Sequence, residues 1–332
     1  MEKTDRSTAS VALLASRVPL AAAEALSAIR SPLDLGKDLL SSRTWITTGT
    51  GASEGPARVL ATLIRQAGVL AEFAPISSFA HEAPRADVCV VVSQRLSPNA
   101  RVPLSRSASY AHTLLVTTVD GSADAPNDVR VVKHGPRDEP GLLLRIAGPA
   151  AAMATCIQIA HEIASFHARN GLATPVVELE GAFASARARV SPSSGSLHEL
   201  AGFIALGGDV ALAEGLRNKV LEGLGGAHPP VWDLCGLVHG PLQSFYDREV
   251  TLVLLERDDA TTKDLTARLM RVLDPARHHV IRLRSSLPGA YALLDFEIQL
   301  DWLVVDALEK RPRDLVDWPG KGCDAPLYEL GI

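Results

Sequence analysis

The chain repeats one plan twice, and that duplication limits what it can fold into more than any other feature. The first copy opens with "TWITTGTGASEGPARVLATLI" and continues with "ADVCVVVSQRLSPNARVPLSRSASYAHTLLVTTV". The second opens with "GFIALGGDVALAEGLRNKVLEGL" and continues with "REVTLVLLERDDATTKDLTARLMRVLDPARHHVIRL". Each copy reads as strand, glycine turn, helix, strand, polar loop, helix, strand. The strands are short unbroken apolar runs such as "VCVVV" and "TLVLL", the pattern of strands buried on both faces of a parallel sheet. Alternation with helices predicts an α/β fold of two tandem three-layer α/β/α units with parallel sheets, flavodoxin-like in winding. A chain of 332 residues that is 47% hydrophobic has enough apolar material for two such cores.

The expected organisation is an N-terminal helical segment over 1–35, a first domain over 36–175, a linker over 176–196 and a second domain over 197–332. The Ser/Pro/Gly stretch at 191–196 marks the boundary best. Residues 290–310 read as a long closing helix whose apolar face covers the core. A net charge of −5 without a basic run argues against a nucleic-acid partner. Four scattered cysteines with no CxxC pair predict neither structural zinc nor disulfides, and suit a reducing compartment. The apolar stretch near the N-terminus is broken by Arg17 and preceded by Glu2 and Asp5, so the expectation is no membrane partner and a cytoplasmic location.

Ligands of open parallel sheets sit beyond the carboxyl ends of the strands. Three polar segments fall there: "GTGASE" (49–54), "SQRLSPN" (93–99) and "HGP" (239–241). In the first, Gly49 and Gly51 let the backbone bend around Thr50, and Ser53 is placed to cap the next helix. Such a junction favours an anion, although an ordinary strand–helix turn reads the same way. The second supplies Ser93, Gln94, Arg95, Ser97 and Asn99, either an oxyanion cradle or a solvated loop. In "NKVLEGL", Lys219 and Glu222 stand three apart on one helix face, as a surface ion pair or as a base at an apolar cleft. His239 suits proton transfer or a plain turn; a second "HGP" at 134–136 shows how easily the tripeptide arises.

Taken together, these segments resemble the SIS (sugar isomerase) family, in particular the two-domain isomerase part of glucosamine-6-phosphate synthase and the related phosphosugar isomerases and deglycases. "GTGASEGPA" matches the family's glycine-rich phosphate loop and "VVVSQRLSPNA" its Ser-Gln-Ser-Gly-Glu-Thr. "AEGLRNKVLEGL" matches the helix with Lys and catalytic Glu, "LVHGPLQSF" the His-Gly-Pro segment, and "VDWP" (316–319) a Val-Asp-x-Pro before the tail. The resemblance implies that Gly49, Thr50, Gly51, Ser53, Ser93, Gln94, Arg95 and Ser97 hold a sugar phosphate or other anionic sugar. It implies that Glu222 moves a proton between C1 and C2, that His239 assists ring opening, and that Lys219 steadies the open-chain sugar. It further implies a homodimer and a reaction with no metal and no cofactor.

Departures from the pattern open a second reading, a catalytically decayed protein that binds sugar phosphate and regulates a partner. Arg95, Leu96, Ser97 and Pro98 stand where the family has Ser, Gly, Glu and Thr. Pro98 has no N–H to offer and Leu96 is expected to refuse glycine-like angles. Arg95 is then expected to supply the missing grip through its guanidinium. Gly236 replaces a Glu, and neither Lys321 nor Asp324 matches the tail lysine of the synthase. With Met-Glu at its start and no leading cysteine, glutamine-dependent synthesis is not expected of this chain.

Overall fold

The computed structural model describes residues 3–119, 126–135, 141–167, 176–190, 196–323 and 325–327. The chain divides into two compact units. One comprises Leu20–Gly141, Arg145–Thr174 and Asp317–Ile332, and the other Met1–Pro19, Leu142–Leu144 and Pro175–Val316. They are called the five-stranded and the four-stranded unit below.

Helix α1 (Lys3–Arg30) contributes to both and runs unbroken past Arg17 and Pro19. Its Arg6–Arg30 stretch, at mean hydropathy 1.4, is long and apolar enough to cross a membrane, contrary to the expectation that Arg17 interrupts it too far. Burial along it follows one helical stripe: Val11, Leu14, Val18, Ala21, Ala25 and Ile29. A single buried stripe at that spacing is the pattern of a helix packed against protein.

The five-stranded unit continues with α2 (Lys37–Leu40), β1 (Thr44–Thr48), α3 (Glu54–Gln66), β2 (Leu70–Phe73), β3 (Val88–Val92), α4 (Pro98–Leu104), β4 (His112–Thr117), β5 (Val129–Lys133) and α5 (Ala147–Phe166). The sheet is parallel throughout, in the order β2-β1-β3-β4-β5. Every residue of β3 is buried, because successive side chains enter opposite apolar layers. Val88, Val90 and Val92 pack with Leu60 and Ile64 of α3 and Ile159 and Ile163 of α5. Cys89 and Val91 pack on the other side with Phe79, Val102 and Leu104. This is the three-layer arrangement expected from the apolar runs.

The four-stranded unit contains α6 (Val176–Val190), β6 (Leu200–Ala205), α7 (Asp209–Leu224), β7 (Val231–Asp233), α8 (Leu234–Leu237), α9 (Pro241–Phe245), β8 (Val250–Arg257), α10 (Ala260–Val272), β9 (His278–Ser285) and α11 (Tyr291–Lys310). Its sheet is also all parallel, in the order β7-β6-β8-β9. Residues 176–190, expected as linker, are helical, and Arg187 ties α6 to Asp306 of α11 at 2.6 Å. Residues 191–195 of the expected boundary, Pro136 of the second "HGP" and Asp324 lie outside the described residues. Helix α11 is the expected closing helix, but it is buried nearly all round, with Asp295, Glu297, Gln299 and Asp301 inside.

Candidate functional site

In the five-stranded unit the segments after β1 and β3 emerge at the same, carboxyl edge of adjacent strands. After β1, Gly49 lies against the Ser53 carbonyl, where an added Cβ would stand 2.5 Å from that oxygen. Thr50 is extended and exposed, and its carbonyl accepts the Ser53 N–H at 3.1 Å. Gly51 turns the chain with a φ of 55°. Ser53 is buried at the start of α3, and its side chain makes no capping hydrogen bond, contrary to the expected cap. The first turn of α3 therefore presents its N–H end without a side-chain cap.

After β3 the backbone is pinned tightly. The Ser93 N–H donates to the Val116 carbonyl at 2.9 Å. The Gln94 carbonyl accepts from the Thr118 N–H at 3.3 Å and from the Thr118 and Thr117 hydroxyls at 2.7 and 3.3 Å. With its backbone so held, the Gln94 side chain points toward the layer of α5 and lies flat on Gly148. A Cβ at 148 would stand 2.5 to 2.7 Å from the Gln94 amide atoms, so only glycine leaves that space. Gln94 is 9% exposed, and its Nε2 has no hydrogen-bond partner among the described residues. A buried amide donor without a partner costs about 1–3 kcal/mol, which a bound acceptor removes.

Leu96 corrects the expectation that leucine refuses this turn. It takes a φ of 51° and is the one non-glycine residue with positive φ among the described residues. Its side chain is 4% exposed, packed in the apolar layer with Phe79 and Leu104. Burying leucine outweighs a left-handed backbone cost of about 1–2 kcal/mol. The glycine-like turn survives without the glycine. Arg95 is exposed, and Ser97 stands at the N-cap of α4 without making a cap hydrogen bond.

His134 belongs to the second "HGP", which has no sequence feature of its own. It follows β5 directly, its N–H donating to the Thr117 carbonyl at 3.0 Å, and is 7% exposed. Neither ring nitrogen has a partner among the described residues, and burial pushes its pKa down to about 4. Strand alternation puts it on the same sheet face as Val132 and Gln94. No sequence signal marked it, since its burial follows from where β5 joins the sheet.

Lys219, Glu222 and His239 belong to the four-stranded unit. Lys219 is not paired with Glu222 on a surface face. Its Nζ is buried 2.5 Å from Asp301 Oδ1 and 3.0 Å from Glu297 Oε1 of α11. Burial pulls its pKa down, but the two carboxylates outweigh this and leave it raised. Glu222 is half-buried, and its carbonyl accepts from Arg313 at 3.2 Å. His239 is exposed in the turn before α9, its N–H donating to the Gly236 carbonyl at 3.1 Å. Among the described residues no three His, Cys, Asp or Glu gather as metal ligands.

The two parallel sheets with their strand orders place the chain among known folds. It has the double sugar isomerase (SIS) fold. Over 93% of its length it superposes on 98% of the C-terminal domain of glucosamine-fructose-6-phosphate aminotransferase from Francisella tularensis, with TM-score 0.71 and 17% identity. Glucosamine-6-phosphate deaminase from Thermotoga maritima matches at TM-score 0.70 and 12% identity, over 91% of this chain and 96% of that one. Tagatose-6-phosphate ketose/aldose isomerase from Escherichia coli matches at 0.64 and 16%, over 94% of each. No protein-family model and no curated protein matches the SIS-fold chain by sequence.

Proposed function

We propose that the carboxyl edge of the five-stranded sheet binds the phosphate, or an equivalent oxyanion, of a sugar. The observation that carries this is the Gln94 amide. It is buried, pinned by Thr117 and Thr118, laid on Gly148 and left with an unused N–H donor. The loops around it, Gly49 to Ser53 and Ser93 to Ser97, supply backbone and hydroxyl groups, and the uncapped start of α3 adds a favourable dipole. Support comes also from the fold relatives, three of which are named for 6-phosphate sugars.

The reaction that fits best is aldose–ketose isomerisation or deglycation. Glu222 takes the proton from C2 and returns it to C1, or the reverse, and His239 assists ring opening. A cytoplasmic homodimer is part of this reading. Binding without turnover is the second reading, favoured by Lys219, whose ammonium is engaged by two core carboxylates.

A thermal-shift panel of hexose and hexosamine 6-phosphates against the unphosphorylated sugars tests the site, because a ligand of the native state raises the melting temperature. Only the phosphates are expected to stabilise. Gln94→Leu and Gly148→Ala are each expected to weaken them about 10- to 150-fold, the loss of one hydrogen bond to a charged group. Equal response to neutral sugars, or unchanged binding in both variants, would sink the proposal. Proton exchange at C2 in deuterated water then separates the readings: exchange abolished by Glu222→Gln marks the enzyme, and tight binding without exchange marks the binding protein.

A further inference from the structure

A second charged cavity lies wholly within the four-stranded unit, at the carboxyl ends of β8 and β9, with a volume of about 420 Å³. Its centre is a two-to-one pairing. Arg282 and Arg284 stand two apart on β9 and so share a face, and Arg284 is in register with Glu256 of β8. Both guanidinia engage that single carboxylate: Arg282 Nε donates at 2.6 Å and Arg284 Nε at 3.1 Å, with a further contact from an Arg282 terminal nitrogen. Glu256 is 6% exposed, and Arg284 uses only Nε against protein, its side chain 59% exposed. One carboxylate cannot neutralise two guanidinia, so the β9 wall itself carries an excess positive charge, and among the described residues nothing engages the Nη1/Nη2 fork of Arg284.

The other cations around the cavity are fixed by partners of their own. Arg257 grips Asp209 at 2.7 and 2.5 Å and the Gly289 carbonyl at 2.6 Å. Arg189 is held by Asp295 and by the Arg284 carbonyl at 2.6 Å. Lys263 pairs with Asp258, and Asp259, held by the Thr262 N–H and hydroxyl at the start of α10, adds its negative charge beside Arg257 and Lys263. The walls are thus preorganised, and the guanidinium that shares its carboxylate with another lies on β9. The volume falls within the roughly 300–1,000 Å³ of small-molecule sites, more room than a bare ion needs.

We infer that this cavity is a second ligand site, taking a small organic phosphate through the fork of Arg284, independent of the Gln94 site. Arg presents a planar pair of donors that matches a phosphate's oxygens, whereas an ammonium does not. Isothermal titration with glycerol 3-phosphate, inorganic phosphate and glycerol tests it, using full-length protein with Gln94→Leu to silence the first site. Glycerol 3-phosphate is expected to bind Gln94→Leu protein at about one per chain, more tightly than inorganic phosphate, with glycerol not binding. Adding Arg284→Gln is expected to weaken it about 10- to 100-fold, and Arg284→Lys to recover only part of the loss. Arg284 is exposed and leaves the Arg282–Glu256 pair behind, so an unchanged melting temperature without ligand verifies that each variant is folded. Three results overturn the inference: no binding to Gln94→Leu protein, binding indifferent to Arg284→Gln, or inorganic phosphate binding as tightly as the ester. Failure of the first site shows differently, as binding in wild-type protein that Gln94→Leu leaves untouched.

Discussion

Replacing Lys219 by Met tests whether that lysine serves the core or a ligand. Its side chain is 8% exposed, and those of Glu297 and Asp301 are 3% and 1%. At these exposures the three charges are in the buried regime, where removing one partner strands the others and costs about 3–5 kcal/mol. The variant removes the cation that the Glu297 and Asp301 carboxylates share. With a urea dependence of about 2 kcal/mol/M, the midpoint for the four-stranded unit falls by about 1.5–2.5 M. Far-UV circular dichroism in a urea series measures this at neutral pH. The triple variant Lys219→Met, Glu297→Gln, Asp301→Asn removes the stranded charges and is expected to recover most of the loss. The pH dependence has a definite sign. Because the folded-state pKa of Lys219 is raised, its contribution is fully present below the ordinary lysine value of 10.5 and is lost as pH rises through the folded value. A single variant within about 1 kcal/mol of wild type would refute the buried-charge reasoning. A triple variant that regains stability but loses sugar-phosphate affinity would instead return Lys219 to the ligand.

His134 gives a second test in the acid range. Its folded pKa of about 4 lies below the ordinary 6.5, so its neutral form is favoured by folding. Stability on this account is complete above pH 6.5, falls by about 3 kcal/mol between 6.5 and 4, and is level below that. Thermal melts across pH 4–7 should show a slope that His134→Asn flattens, and an identical slope in the variant would assign it to other groups. Leu96→Gly sets two effects against each other, relief of about 1–2 kcal/mol of backbone cost against loss of a buried leucine worth about 2–5 kcal/mol. The expected net is destabilisation, read by chemical denaturation, and a more stable variant would show that the side chain does not anchor the turn.

The duplication, the central strands and the two parallel sheets were legible in the sequence because β3 and β8 are buried along nearly their whole length and spell apolar runs, and β1, β4 and β6 carry shorter apolar cores at matching places in each copy. Strands β2, β5 and β7 were not, since each lies at a sheet edge and is only partly buried, as "LAEF", "VRVVK" and "VWD" show. Their pairing comes from the neighbouring strand rather than from their own pattern. The loops "GTGASE" and "SQRLSPN" were found by their place after buried strands, and that place is set by chain order. Which atoms within them are available was decided elsewhere. The Gln94 amide lies against Gly148, over fifty positions along the chain at the start of α5, with its Nε2 unpartnered among the described residues. Leu96 takes a glycine's angles because an apolar layer holds its side chain. Lys219 looked like half of a surface pair at a spacing of three, yet α11 buries it against carboxylates some eighty residues later. Local sequence sets periodicity and turn chemistry, which act over a few residues. Burial and charge pairing depend on what distant segments bring to the same point, and only the packed chain determines that.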